Sequence, residues 1–263
     1  MIKVFRQIRK ELMEIGKTSK YFKYAIGEIF LVVIGILIAL QINNWNENRI
    51  ENRTETKYLT NLKHDLQNDS IDLNNLKIIR LNKVTSARKL LQYAQDKNLD
   101  NIFEIDSLYV DIAYWLEYVP HNNSFKELIS SGNLNIIKNE TIKNLLLELS
   151  KKNDEIVSDR NHMRREYEQY LYDKRTKLIS FFDVNNLSDI QTSDDWFYPN
   201  KQAVTTHATI LKQNYTKLLE DDVFITGLAY AAGNNLYMVN QYNEMLVQIY
   251  QLIKLITKEL SND

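Results

Sequence analysis

The chain reads as an all-α protein in which an N-terminal transmembrane helix runs into an elongated antiparallel helical bundle. Three observations predict this. Among 263 residues there are six glycines and two prolines, Pro120 and Pro199, and sheets joined by tight turns need more of both. Several long segments repeat apolar residues at three- and four-residue spacing, the signature of an amphipathic helix. One stretch, Ile29 to Leu40, is twelve residues of unbroken apolar or glycine character.

Composition sets the class before any element is placed. A hydrophobic share of 44% with 25% charged residues is that of a chain with a packed core. There is no cysteine, which excludes disulfides, thiolate catalysis, cysteine metal sites and lipoprotein processing. The net charge of −1 hides a polarity. Residues 1–45 carry seven basic groups (Lys3, Arg6, Arg9, Lys10, Lys17, Lys20, Lys23) against Glu11, Glu14 and Glu28, so the remainder is net acidic. No nucleic-acid footprint emerges, and no nucleic-acid partner is expected.

Residues 1–23 form a basic segment in which Ile2, Phe5, Ile8, Leu12 and Ile15 fall on one helical face. Such a segment lies on an anionic leaflet, or serves simply as an orienting flank. Residues 24–42 follow as the transmembrane helix. At 1.5 Å per residue they span about 28 Å, close to the hydrocarbon thickness of a bilayer. Tyr21 and Tyr24 at one end and Trp45 at the other are the interfacial anchors. Twenty-three residues precede the apolar run and no small-x-small site follows it, which argues against cleavage as a signal peptide. The basic excess before the helix places the N-terminus in the cytoplasm. Residues 43–263 then form a periplasmic helical-bundle domain, anchored to a bacterial inner membrane by a single pass.

Within the span, Glu28, Gly35 and Ala39 lie seven and four positions apart and share one helix face. Gly35-Ile-Leu-Ile-Ala39 is a small-xxx-small pattern that permits close helix approach. An acid inside a membrane faces a partner, or else snorkels to the interface. This face is the candidate interaction site of the anchor.

The stretch YAIGEIFLVVIGILIALQINNWNE, residues 24–47, preceded by a short basic segment, resembles the opening of an uncharacterised, domain-of-unknown-function family of single-pass proteins abundant in Bacteroidota. A second stretch, SFKELISSGNLNIIKNETIKNLLLEL at residues 124–149, is also similar to members of that family, where a Ser-Ser-Gly-x-Leu turn joins two helices. The resemblance implies an envelope location and a helical external domain. It implies no activity and no site residues.

Beyond Trp45 the seam Leu59, Leu62, Leu66, Leu73, Leu76, Ala87, Leu90 and Ala94 continues the anchor helix to the neighbourhood of Asn98 and Asp100. Asp69, Arg80 and Lys83 interrupt that seam, which predicts a local bend or a partner that covers it only in part. A second helix is expected over Ile105–Tyr118, ended by Pro120. Ser124 is the expected cap of a short helix to Ser130, with Gly132 as its left-handed stop. Asn139 or Thr141 opens a long helix whose seam runs through Ile142, Leu145, Leu149, Ile156, Met163 and Tyr170 to Leu178 and Phe181. Residues 183–202 read as a loop. The last helix keeps its repeat from Ile225 to Leu260, with Asn235 its one polar seam residue and small residues at 227–233 suited to tight packing.

Chemistry is sparse. His64, His121, His162 and His207 are the four histidines, and no HExxH, phosphate loop or nucleophile elbow occurs. Asp65 and Asp69 stand four apart on a helix, a spacing that a solvated face explains better than a cation site. His162 sits in a mixed-charge run that reads as a salt-laced surface. The stretch Asp194-Asp195-Trp196-Phe197-Tyr198-Pro199 concentrates aromatics and acids in a loop; its three rings are expected to plug the end of the bundle, with a binding loop as the alternative. No cofactor, metal or catalytic residue is assigned. The expected role is non-enzymatic: an anchored component of the cell envelope with the lipid bilayer and either a second copy or another envelope protein as partners. The alternative is an extracytoplasmic sensor of a small ligand that acts through a partner.

Overall fold

The computed structural model of the protein describes residues 18–192 and 195–262. All regular structure among them is helical. Two compact units divide at Lys57 and Tyr58. The amphipathic pattern expected at residues 2–15 and the side chains of Tyr21 and Tyr24 lie outside the described residues, as does Asp194.

The first helix, α1, runs without interruption from Thr18 to Asp96. In the N-terminal unit its apolar side chains are bare: Ile29, Phe30, Leu31, Leu37 and Ile42 are each about 60% exposed. The helix contains an 18-residue window of mean hydropathy 2.5, none of it buried. It is long and apolar enough to cross a membrane.

The second unit follows the expected seams. Helix α2 is Ile102–Ala113, α3 is Asn123–Ser130, and a 3₁₀ turn covers Asn133–Ile136. Helix α4, Glu140–Glu166, passes through a π turn, Tyr167–Tyr172, into α5, Asp173–Thr176. Short helices α6 (Phe181–Val184), α7 (Leu187–Thr192) and α8 (Lys201–Thr206) lead to α9, Ala208–Leu219, and the long α10, Asp222–Asn262.

Contacts fix the directions. Asn74 meets Tyr250 and Arg80 meets Tyr242, so α1 and α10 are antiparallel. Lys152 meets Glu244 and Asp159 meets Tyr237, so α4 and α10 are antiparallel as well. Two apolar clusters fill the unit. One joins Leu59–Leu76 of α1 to α3, α4 and the C-terminal part of α10. The other joins Ala87 and Leu90 to α2, the π turn, α9 and the start of α10. Gly227 is where the second cluster is tightest: a Cβ there would lie 2.7 Å from the Tyr170 Cβ and 2.9 Å from Leu171 Cδ2.

Several sequence expectations are corrected. The second helix ends at Ala113 and residues 114–122 are irregular, because remote side chains take its last carbonyls: Lys83 bonds those of Ile112 and Tyr114, and Tyr172 bonds that of Ala113. Ser124 does not cap α3; its backbone N–H donates to Asp65 Oδ2 at 3.1 Å. Gly132 does adopt the left-handed conformation, with φ 71°. Asn139 caps α4 as expected, accepting from the N–H groups of Thr141 and Ile142. The stretch 183–202 is not simply a loop, since α7 and the start of α8 fall within it. Helix α9, between that stretch and the last seam, had no sequence-based assignment. Polar residues on the α1 seam do not break the helix. They are buried against partners.

Candidate functional site

A polar layer separates the two apolar clusters. Arg80, Lys83 and Asn235 are nearly or completely buried. The Arg80 guanidinium donates to Asn235 Oδ1 at 2.8 Å and to the Tyr242 hydroxyl at 3.1 Å. Asn235 in turn donates to the Tyr167 hydroxyl at 2.6 Å and to the carbonyl of Ala231. Lys83 sits 5.6 Å above the Tyr167 ring while donating to the carbonyls of Ile112 and Tyr114 at the end of α2. Burial, reinforced by the neighbouring Arg80 charge and opposed by Asp111, lowers the Lys83 ammonium to about 7. Every group in this layer is engaged in holding α1, α2, α10 and the π turn together.

The layer supports a more open feature. Lys83 fixes the backbone of residues 112–114, and Ser86 of α1 donates to Asp111, whose other carboxylate oxygen accepts from the Tyr198 hydroxyl at 2.8 Å. These ties hold the aromatic segment 196–198 beside Tyr114. Phe197 stacks on Tyr114 with centroids 5.4 Å apart, Trp196 meets Phe197 edge-on at 5.9 Å, and Phe181 lies 6.2 Å from Trp196. The rings do not plug the unit solidly. With Tyr109 and Trp115 they line a pocket of about 420 Å³.

The polar groups of this pocket come from α5 and the end of α6. Arg175 lies 4.6 Å over the Tyr109 ring and pairs at 2.5 Å with Asp106 Oδ1, an oxygen that also accepts from the Tyr215 hydroxyl. Asp106 is completely buried. Asn185 donates to the carbonyl of Trp196 at 2.9 Å. Arg175 Nε, Asp106 Oδ2 and Asn185 Oδ1 are buried beneath the pocket walls and have no hydrogen-bond partner among the described residues. Such groups are rare in folded proteins and each costs about 1–3 kcal/mol when unsatisfied.

A second, shallower cleft of about 650 Å³ lies against α1 and the 116–123 segment. His121 Nε2 is 2.9 Å from Asp72 Oδ2 there, and its backbone N–H donates to Asp69. Both members of the His–Asp pair are almost half exposed, 43% and 49%, so it is a solvated surface contact worth little to stability. Asp65 and Asp69, candidates for a shared cation, instead accept the N–H groups of Ser124 and His121. Burial raises the Asp69 carboxyl, and the His121 N–H partly offsets that. His162 is exposed beside Glu166. Among the described residues no three acidic or histidine side chains converge to hold a metal ion.

Gly35 and Ala39 are exposed, Glu28 is half-buried, and nothing lies within 4 Å of the space a Cβ at Gly35 would fill. On a helix advancing 100° per residue the three stay within about 20° of a common line. Trp45 is 64% exposed with the Arg49 guanidinium 5.8 Å over its ring. The pocket was missed from sequence except for Trp196 and Phe197, because its other walls lie 11 to 88 positions away.

Residues 28–190 match a family described as Family of unknown function (DUF6090). The chain belongs to that family. The DUF6090 match takes in the apolar part of α1, the polar seam residues Arg80 and Lys83, and the pocket residues from Tyr109 to Asn185. It leaves out Trp196, Phe197, α9 and α10. Neither a curated protein nor a solved structure matches the chain.

Proposed function

We propose that this DUF6090 chain is a non-enzymatic, single-pass envelope protein of a two-membrane bacterium, anchored in the inner membrane by residues 24–42. Residues 1–23 face the cytoplasm and residues 43–263 form a helical domain in the periplasm that binds another envelope protein or a second copy. The observation that carries this reading is the bare apolar surface of α1: side chains from Ile26 to Ile42 are 42–67% exposed where a soluble helix buries one face. The basic flank supports the orientation. The small residues Gly35 and Ala39, exposed on the face that also carries Glu28, support an interaction within the membrane. Gentle detergent extraction of a tagged chain, followed by mass and co-purification analysis, tests it. A stoichiometric partner or defined oligomer, reduced by Glu28→Gln, is expected; recovery only as a lone monomer overturns the reading.

One observation favours a second reading. The second unit holds an aromatic-walled pocket of about 420 Å³ whose walls are tied to α1 through Lys83 and Ser86. That arrangement suits a sensor in which a small ligand alters contacts made by the helix that carries the anchor. Such a sensor acts through a partner.

A further inference from the structure

We infer that a second copy of this chain docks on the outer face of α1 and α10, setting the two α1 helices side by side in parallel through Ile71, Ile78 and Leu81. The inference rests on the envelope reading for partner binding. It names the partner and puts the contact in the helical unit.

The face is defined by exposure. Ile71, Ile78 and Leu81 of α1 and Leu236, Val247 and Tyr250 of α10 are 39–67% exposed. The two sets border one another on the solvent side, where Asn74 Nδ2 donates to the Tyr250 hydroxyl at 3.1 Å. Single exposed apolar residues are ordinary, but six on one two-helix surface mark a contact. From Gln67 to Thr85 the strip is about 27 Å long and two helices, about 20 Å, wide, so about 500 Å² in plan. Side-chain relief brings its accessible area toward the roughly 800 Å² per partner of a stable interface.

Charge selects the occupant. Between His64 and Arg88 every exposed residue of α1 is uncharged, while Asp72 turns aside to His121 and Lys77 is partly buried. From Val223 to Ile253 α10 has one charged residue, Glu244, and it pairs with Lys152 of α4. In a chain with 25% charged residues this face has been cleared. Beside a two-fold axis each side chain meets its own counterpart, so a charge there meets a like charge. A neutral face suits a copy of itself, whereas a partner of opposite charge calls for charges on it.

Spacing gives the direction. Gln67, Ile71, Asn74, Ile78, Leu81 and Thr85 advance by alternating steps of four and three, a second stripe on the side of α1 away from its buried seam. Its β-branched positions, Ile71, Ile78 and Thr85, alternate with Asn74 and Leu81, and β-branched residues at the first heptad position with leucine at the other favour two parallel strands. Both copies carry the apolar anchor at the same end of α1, so in one membrane the paired helices run in that parallel sense. Leu236, Val247 and Tyr250 then flank the α1 pair.

The test uses the full-length chain in a non-ionic detergent, with its mass read by light scattering and single cysteines cross-linked by oxidation. A two-chain mass is expected. Ile71→Lys combined with Ile78→Lys should weaken association at least about tenfold, toward a one-chain mass. Both side chains are exposed, so the helical content by circular dichroism should stay unchanged. The chain has no cysteine of its own, and Ile78→Cys should form a disulfide-linked dimer while Lys151→Cys, 79% exposed on α4, does not. An oligomer that survives the two lysines, equal cross-linking at positions 78 and 151, or a single copy bound to a different protein overturns this inference and leaves the envelope reading standing. Recovery only as a lone monomer overturns both.

Discussion

Replacing Lys83 by methionine should cost progressively more stability as pH rises from 7 to 9. Lys83 is 3% exposed and burial, with help from Arg80, lowers its ammonium from 10.5 to about 7 in the folded chain. Below pH 7 both the folded and unfolded states hold the proton, and the native protein bears the full cost of a buried charge. Between about 7 and 10.5 the unfolded chain still binds the proton and the folded chain does not, so stability rises with pH. Over the two units from pH 7 to pH 9 the gain is about 2.7 kcal/mol, at about 1.4 kcal/mol per unit. The neutral amine still donates to the carbonyls of Ile112 and Tyr114, so those bonds survive the loss of charge. Methionine fills similar space, has no proton to lose, and orphans the two carbonyls at every pH for about 1–3 kcal/mol each. The difference between native protein and variant therefore widens by the native protein's own pH gain. For a unit of this size 1 kcal/mol moves Tm by about 2–4 °C, which makes the widening about 5–10 °C. Thermal melts by far-UV circular dichroism in a non-ionic detergent, from pH 6 to pH 9, read it directly. A gap that stays constant, or narrows, would show that the buried ammonium keeps its charge at pH 9 and would refute the reasoning.

The other predictions use the same melts. Asp106→Ala leaves Arg175 buried without a countercharge and removes the acceptor of Tyr215, so it should cost about 3–5 kcal/mol; pairing Asp106→Leu with Arg175→Met should recover most of that, and no recovery would point to a role beyond the ion pair. Gly227→Ala should destabilise by about 1 kcal/mol or more, because the 2.7 Å approach to the Tyr170 Cβ outweighs the helix-propensity gain. Gly233→Ala, where nothing lies within 4 Å, should instead stabilise by about 0.5–1 kcal/mol. Equal effects at the two glycines would mean that close packing against the π turn is absent.

What could be read from the sequence was the part governed by local periodicity. The seams of α1, α4 and α10 run for many turns, and the apolar residues named on them are all buried or partly buried. The end of α2 was not readable, since Lys83 and Tyr172 stop it from 30 and 59 positions away, five residues or more before the proline that local rules point to. Helix α9 did carry a signal, Leu211, Tyr215 and Leu218 at four- and three-residue spacing, overshadowed by the longer seam after it. The interruptions at Arg80, Lys83 and Asn235 were visible as polar residues on apolar faces. That they meet in one buried layer is a property of antiparallel packing, which no single helix encodes. The candidate pocket is the extreme case, because its walls come from four short segments and only Trp196 and Phe197 stood out by composition.

The central claim is that α1 crosses a membrane and holds the helical unit on its far side. The chain has no cysteine, so single cysteines report position cleanly. Lys10→Cys, Ile34→Cys and Lys151→Cys, the last at a site whose side chain is 79% exposed, are to be treated in intact cells with a membrane-impermeant maleimide small enough to pass the outer membrane. The account predicts labelling of Lys151→Cys in intact cells, of Lys10→Cys only after lysis, and of Ile34→Cys in neither until detergent is added. Labelling of Ile34→Cys as fast as Lys151→Cys, or protection of Lys151→Cys until lysis, would contradict it.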